Sequence, residues 1–150
     1  MADRLSGRYA VLCEIDRFIG KAAALIRQTA SPLEDIICAA AEDKRLGRLS
    51  FLADINRQLD GGRTDIRGAW RDCLENAPPE YIRAEEKAIL EELGEMLGST
   101  DVQGQLEGLS AKRDALRELI AEADRERREK GKLYRMLGVT VGLFAAVILI

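Results

Sequence analysis

The side chains best able to do chemistry in this chain are three cysteines, a large set of carboxylates and a run of cations near the C-terminus. Cys13, Cys38 and Cys73 are odd in number, far apart and form no Cys-x-x-Cys pair, so neither a disulfide framework nor a zinc site is indicated. A reducing compartment is the simplest setting for them. Cys73 continues the spacing of Ile66 and Trp70 and reads as a small buried hydrophobe. Histidine is absent, which removes the commonest general base and the commonest nitrogen ligand for metals. Ser-His-Asp and Cys-His nucleophile systems are thereby excluded. Gly61-Gly62 is not a phosphate loop, since Gly-x-x-x-x-Gly-Lys-Ser/Thr does not occur. Glu85-Glu86 and Glu91-Glu92 are expected on solvated helix faces, as surface charge rather than an acid/base pair. No catalytic, cofactor-binding or metal residues are therefore expected, no small-molecule substrate is implied, and the chain reads as a non-enzyme. A net charge of −3 gives nucleic-acid binding no electrostatic support.

The cations carry a different message. Arg125, Arg127, Arg128, Lys130, Lys132 and Arg135 precede an apolar run, Met136 to Ile150, in which Thr140 is the only polar side chain. Fifteen helical residues span roughly 22 Å against a hydrocarbon core of about 30 Å. Leu133 and Tyr134 lengthen the run, Arg135 can snorkel, and Tyr134 sits where an interfacial aromatic belongs. A transmembrane helix over residues 133–150 is the reading, with a buried core helix as the alternative. Positive residues stay on the cytoplasmic side, so the preceding domain is expected in the cytosol. Contact of the basic stem with anionic lipid is conceivable, although the interspersed acids favour topology marking. Gly138 and Gly142 make a Gly-x-x-x-Gly pair inside the span, a spacing that allows close helix packing and is also common by chance in membrane helices.

The elements that position these residues are all helical. Hydrophobic residues are 47% and charged residues 33%, a globular balance rich in Ala, Glu, Leu and Arg. Residues 1–8 are polar, with no signal-peptide pattern. Leu5, Leu12, Ile19 and Ile26 recur every seven residues, with Tyr9, Ile15 and Ala22 filling the stripe of a first helix over 3–29. Ser31, Pro32 and Glu34 read as cap, first turn and capping box of a second, which carries Leu33, Ile36, Ile37 and Ala40 and ends near 44–47. A third carries Leu49, Leu52, Ile55 and Leu59 and stops at Gly61-Gly62. A short fourth runs over 64–75, with Trp70 and Cys73 inward, and ends before Pro78. A fifth runs over 80–97, with Ile82, Ile89, Leu90, Leu93 and Met96, and Ser99, Thr100 and Asp101 cap a sixth. In the sixth, Val102, Leu106, Leu109, Arg113, Leu116, Ile120 and Ala123 form a seam interrupted by Arg113. The expected organisation is a six-helix bundle over 1–123, a charged solvated stem over 124–132 with pairs such as Glu126 with Lys130, and the span over 133–150.

Three stretches together resemble the stage III sporulation protein AB family of endospore-forming bacteria. They are Thr29-Ala30-Ser31-Pro32-Leu33-Glu34, then Leu93-Gly94-Glu95-Met96-Leu97-Gly98-Ser99-Thr100-Asp101-Val102-Gln103-Gly104-Gln105, and Lys132-Leu133-Tyr134-Arg135-Met136-Leu137-Gly138-Val139. Ala69-Trp70 also fits, and the resemblance covers nearly the whole chain. It implies a cytosolic domain similar to those of the inner-membrane F protein of type II secretion systems, in a channel complex joining mother cell and forespore. It implies, as partners, a stage III sporulation protein AA-like ATPase and the other channel proteins of the same operon, and it brings no catalytic residues. The family usually opens with a transmembrane helix, and this sequence starts where that helix would end: either that segment is missing from the sequence or this member has lost it, so the two-anchor topology of the family does not carry over. Against the platform reading stands a tail-anchored coiled-coil adaptor unrelated to secretion, whose sixth helix would pair in trans. Arg113 and Trp70 are candidate docking residues, with a bundle edge and the core as their respective alternatives.

Overall fold

Helix one forms over Ala2–Thr29 (α1), and its apolar residues bury more than one stripe. Leu12, Ile15, Ile19, Ala22 and Ile26 are buried as their spacing predicts, and so are Val11 and Phe18 beside them. A helix clasped from two sides needs this wider apolar arc. The computed structural model describes residues 2–78, 82–98 and 101–150. Its remaining elements are α2 (Leu33–Glu42), a 3-10 turn (Lys44–Leu46), α3 (Ser50–Asp60), α4 (Ile66–Glu75), α5 (Ala84–Leu97) and α6 (Val102–Leu149). Six α-helices and no strands occur among the described residues, so the all-α expectation stands.

The core centres on Trp70. Its ring meets Phe51 edge-on at 5.3 Å between centroids and Phe18 at 6.2 Å. Its indole N–H donates to the Leu90 carbonyl at 2.9 Å, so the one polar atom of the side chain is satisfied inside the core. Trp70 thus ties α4 to α5 and both to α1 and α3. α1 and α6 pack side by side over most of the length of α1. Contacts between them pair Tyr9 with Arg127 and Asp16 with Arg113, so the two helices run antiparallel.

Several local expectations are corrected. Pro32, not Ser31, is the N-cap of α2, and no side chain caps it. The Ser31 hydroxyl instead meets that of Thr29, and Ala30 takes a left-handed conformation (φ 48°) to end α1. α4 begins at Ile66, where Asp65 accepts from the Gly68 N–H at 3.1 Å. Glu80, Ser99 and Thr100 lie outside the described residues; α5 starts at Ala84, and Asp101 takes the cap position of α6. Ile82 is buried as expected, but ahead of α5 rather than within it. Val102 is 40% exposed and does not join the seam; Gln105, unread in the sequence, is buried in its place. Gly61 caps α3, and Gly62 has the positive φ (100°) that a glycine tolerates beyond a helix end.

The C-terminal apolar run is not a separate helix. α6 is continuous for 48 residues, about 72 Å at 1.5 Å per residue. Its first part carries Leu109, Leu116 and Ala123 into the core, while every residue from 131 onward is exposed. The buried-core-helix alternative fails here, because the apolar segment is exposed and packs against none of the described residues. α6 is long and apolar enough to cross a membrane.

Candidate interaction surfaces at the two ends of the bundle

The far end of the bundle, away from the apolar segment, is built by residues 93–98 and 101–105, through three close approaches. A side chain at Gly94 would place its Cβ 2.5 Å from the Trp70 indole nitrogen, so glycine is what lets the ring lie flat on α5. A Cβ at Gly98 would come within 2.9 Å of the Arg67 guanidinium, which donates to the Gly98 carbonyl at 3.3 Å. At Gly104 the Asp101 carboxylate folds over the first turn of α6, 2.6 Å from where a Cβ would stand. Gln105 then donates to the Leu97 carbonyl at 3.2 Å, across the α5–α6 connection. Helix C-termini leave carbonyls without partners, and here side chains from other elements supply the donors. This end also holds a cavity of about 460 Å³, lined among others by Ile26, Pro32, Thr64, Arg67, Val102 and Gln105.

Along the flank, buried carboxylates fix the connections. Glu14 on α1 is buried and accepts from the Arg48 backbone N–H at 3.0 Å and from its guanidinium at 3.3 Å. Asp43 accepts from Lys21 and Arg45, each at 3.0 Å, and the Arg45 contacts above all hold its carboxyl well below the usual carboxylate range. Glu86 corrects the expectation of a solvated face. It is 1% exposed and bonds Arg8 at 3.2 Å, while its second carboxylate oxygen is buried with no hydrogen-bond partner. Only the tertiary contact with α1 could have revealed it, since Glu85 beside it is exposed.

The end nearest the apolar segment carries the cations of the stem. Tyr9 stacks under the Arg127 guanidinium at 4.3 Å, so the packed face runs one turn beyond Ala123 rather than stopping there. A hydrogen bond with the Cys13 thiol is the main reason the Tyr9 phenol sits above its ordinary pKa, and burial adds to it. Asp124 pairs with Arg127 at 2.7 Å and Arg128 at 3.1 Å; these replace the expected Glu126–Lys130 pair. Lys130 is half-buried, whereas Arg125, Arg128, Lys132 and Arg135 are exposed. Gly138 and Gly142 share one exposed face, and none of the described residues comes within 4 Å of where their Cβ atoms would stand.

Arg113 and Trp70 are both occupied within the fold. Arg113 pairs with Asp16 at 2.9 Å and lies against Gly20 of α1. Cys73 is buried, which pushes its thiol pKa up; Cys13 is half-buried and Cys38 exposed. No group of three potential metal ligands occurs among the described residues.

The model of the family described as "Stage III sporulation protein AB" matches residues 1–150. A solved structure of a stage III sporulation protein AB is similar in fold, with a TM-score of 0.64. It is 20% identical, and the match covers 82% of this chain and 98% of that one. No protein of curated function matches at a significant level.

Proposed function

The chain belongs to the stage III sporulation protein AB family, and from that premise we propose that it is a non-enzymatic membrane platform of the mother cell-to-forespore channel complex, docking a secretion-type ATPase. A role in sporulation comes with the family; the channel, the docking and the absence of catalysis are this reading's own. The observation that carries it is the continuity of α6, which is core helix, stem and apolar segment in one unbroken rod. A rod fixed to α1 through Leu109, Leu116, Ala123 and Arg127 passes displacement of the bundle to the segment beyond, with no linker to absorb it. The apolar segment is read as crossing the outer forespore membrane, with the bundle in the mother-cell cytoplasm, because the cations precede it. The partners are a stage III sporulation protein AA-like ATPase and other channel proteins of the same operon.

The end built by residues 93–105 is read as the docking surface, being furthest along α6 from the apolar segment. Trp70 is taken up inside the fold and Arg113 is paired with Asp16 at the bundle edge, which supports docking at the far end rather than through either of them. The adaptor reading needs the α6 seam free to pair in trans, whereas the seam is used in cis against α1, which supports the platform. Co-purification of the full chain in detergent with the ATPase tests both. The expected result is retention of the ATPase by the native chain and at least a tenfold loss on Glu95→Arg, an exposed side chain of the same segment, at unchanged melting. An ATPase that ignores the bundle, or a chain that forms an elongated dimer through α6, overturns the reading.

A further inference from the structure

The cations of the stem are not spread evenly around α6. At about 100° per residue, Arg125, Arg128, Lys132 and Arg135 fall within roughly 80° of one another. Leu116, Ala123 and Arg127 lie on the opposite side, against α1. The burial agrees, since all four stripe residues are exposed while Arg127 and Lys130 are half-buried. Of the interspersed acids, Glu126 turns toward the packed side, whereas Asp124 and Glu129 border the stripe, and Asp124 pairs with both Arg127 and Arg128. The four cations of the stripe outnumber these two acids.

The geometry points to an anionic lipid surface as the partner of this stripe, resting on the reading that the apolar segment crosses the membrane. α6 continues without a break from the stripe into the apolar segment, so the surface the stripe meets first is the headgroup layer. Arg128 stands about 8 Å along the axis from Leu133, and Arg125 about 12 Å. The headgroup layer is roughly 5–8 Å thick and the Debye length about 8 Å, so Lys132, Arg135 and Arg128 lie within reach of lipid phosphates in an upright helix. Arg125 joins them when α6 leans toward the stripe. That lean is unobstructed, because α1 packs on the other side. Anionic headgroups thus set the tilt of the rod, and through it the attitude of the bundle over the bilayer.

The test uses the full chain reconstituted in bilayers with spin-labelled phosphatidylglycerol or phosphatidylcholine as probe. Electron paramagnetic resonance reads the motionally restricted lipid around the protein. The native chain is expected to prefer the anionic probe by well over the about fivefold that one basic side chain near the surface supplies. Arg125→Gln/Arg128→Gln/Lys132→Gln, which keeps Arg135, is expected to bring the ratio down to about fivefold or less, with unchanged circular dichroism melting. A native chain with restricted lipid but no anionic preference overturns the stripe alone, as does a triple variant that keeps the full preference. No restricted lipid at all removes the spanning reading, and the stripe with it.

Discussion

At the scale of single residues, the signature segment is a set of spaces for other side chains. Gly94 is the clearest case, since any Cβ collides with the Trp70 ring rather than with a flexible tip. Gly94→Ala is expected to lower stability by about 1–3 kcal/mol, the usual cost of overpacking, visible as a lower midpoint in denaturant followed by Trp70 fluorescence. Asp43 gives a pH signature. Its pKa is depressed in the folded chain by Arg45 and Lys21, so its contribution is present above the ordinary carboxylate range and disappears as pH falls below it. Asp43→Asn is therefore expected to lower the thermal midpoint at pH 7 and to match the native chain in strong acid, read by melts across pH. Spacing places Cys73 and Trp70 in the core from sequence alone. It misplaces Glu86, because a buried ion pair with Arg8 depends on a residue 78 positions away.

At the scale of elements, α6 joins three environments without a structural boundary. Its hydrophobic seam, its charges and its apolar end are each plain in the sequence, but their fusion into one rod is not. The transmission argument makes the stem the element to break. Proline in a helix interior removes a hydrogen bond, clashes with the preceding turn and costs about 3 kcal/mol or more. Gly131 is exposed and lies beyond the last contact with Tyr9. Gly131→Pro is thus expected to leave the denaturation midpoint of the bundle unchanged while reducing spore yield at least tenfold. A variant that sporulates normally shows that no rigid coupling is needed. The start of α2 shows why caps mislead. Ser31 looks like a cap by type, yet whether a hydroxyl caps is decided by which backbone conformation the neighbouring packing imposes.

At the scale of the whole molecule, α1 and α6 form an antiparallel pair on which α2 to α5 are hung. The packed region therefore ends near Arg127, and only a short stretch separates it from the apolar segment. Hydrogen exchange of the full chain in lipid is expected to show slow amides over 105–127, faster ones over 128–132 and slow ones again beyond 133. Uniform protection through 128–132 without added partners would mean that the stem is covered, contrary to its exposure in the fold. The same measurement bears on domain organisation, which from periodicity alone divides at 123.

What the sequence determined by itself was periodicity and polarity. Seven-residue spacing in α1, the seam of α6 and a fifteen-residue run with one polar member after a cationic stretch are properties of adjacent positions, and they give an all-α chain with an apolar C-terminal helix. The family resemblance was legible for the same reason, in the order of residues 93–105. The tertiary structure alone decided how distant positions meet. It showed why those glycines are glycines, that Arg113 answers Asp16, that Glu14 and Glu86 are buried, and that the stem's exposed cations face away from α1. Those outcomes depend on the packing of one helix against another, which determines which side of each helix remains for a partner or a membrane.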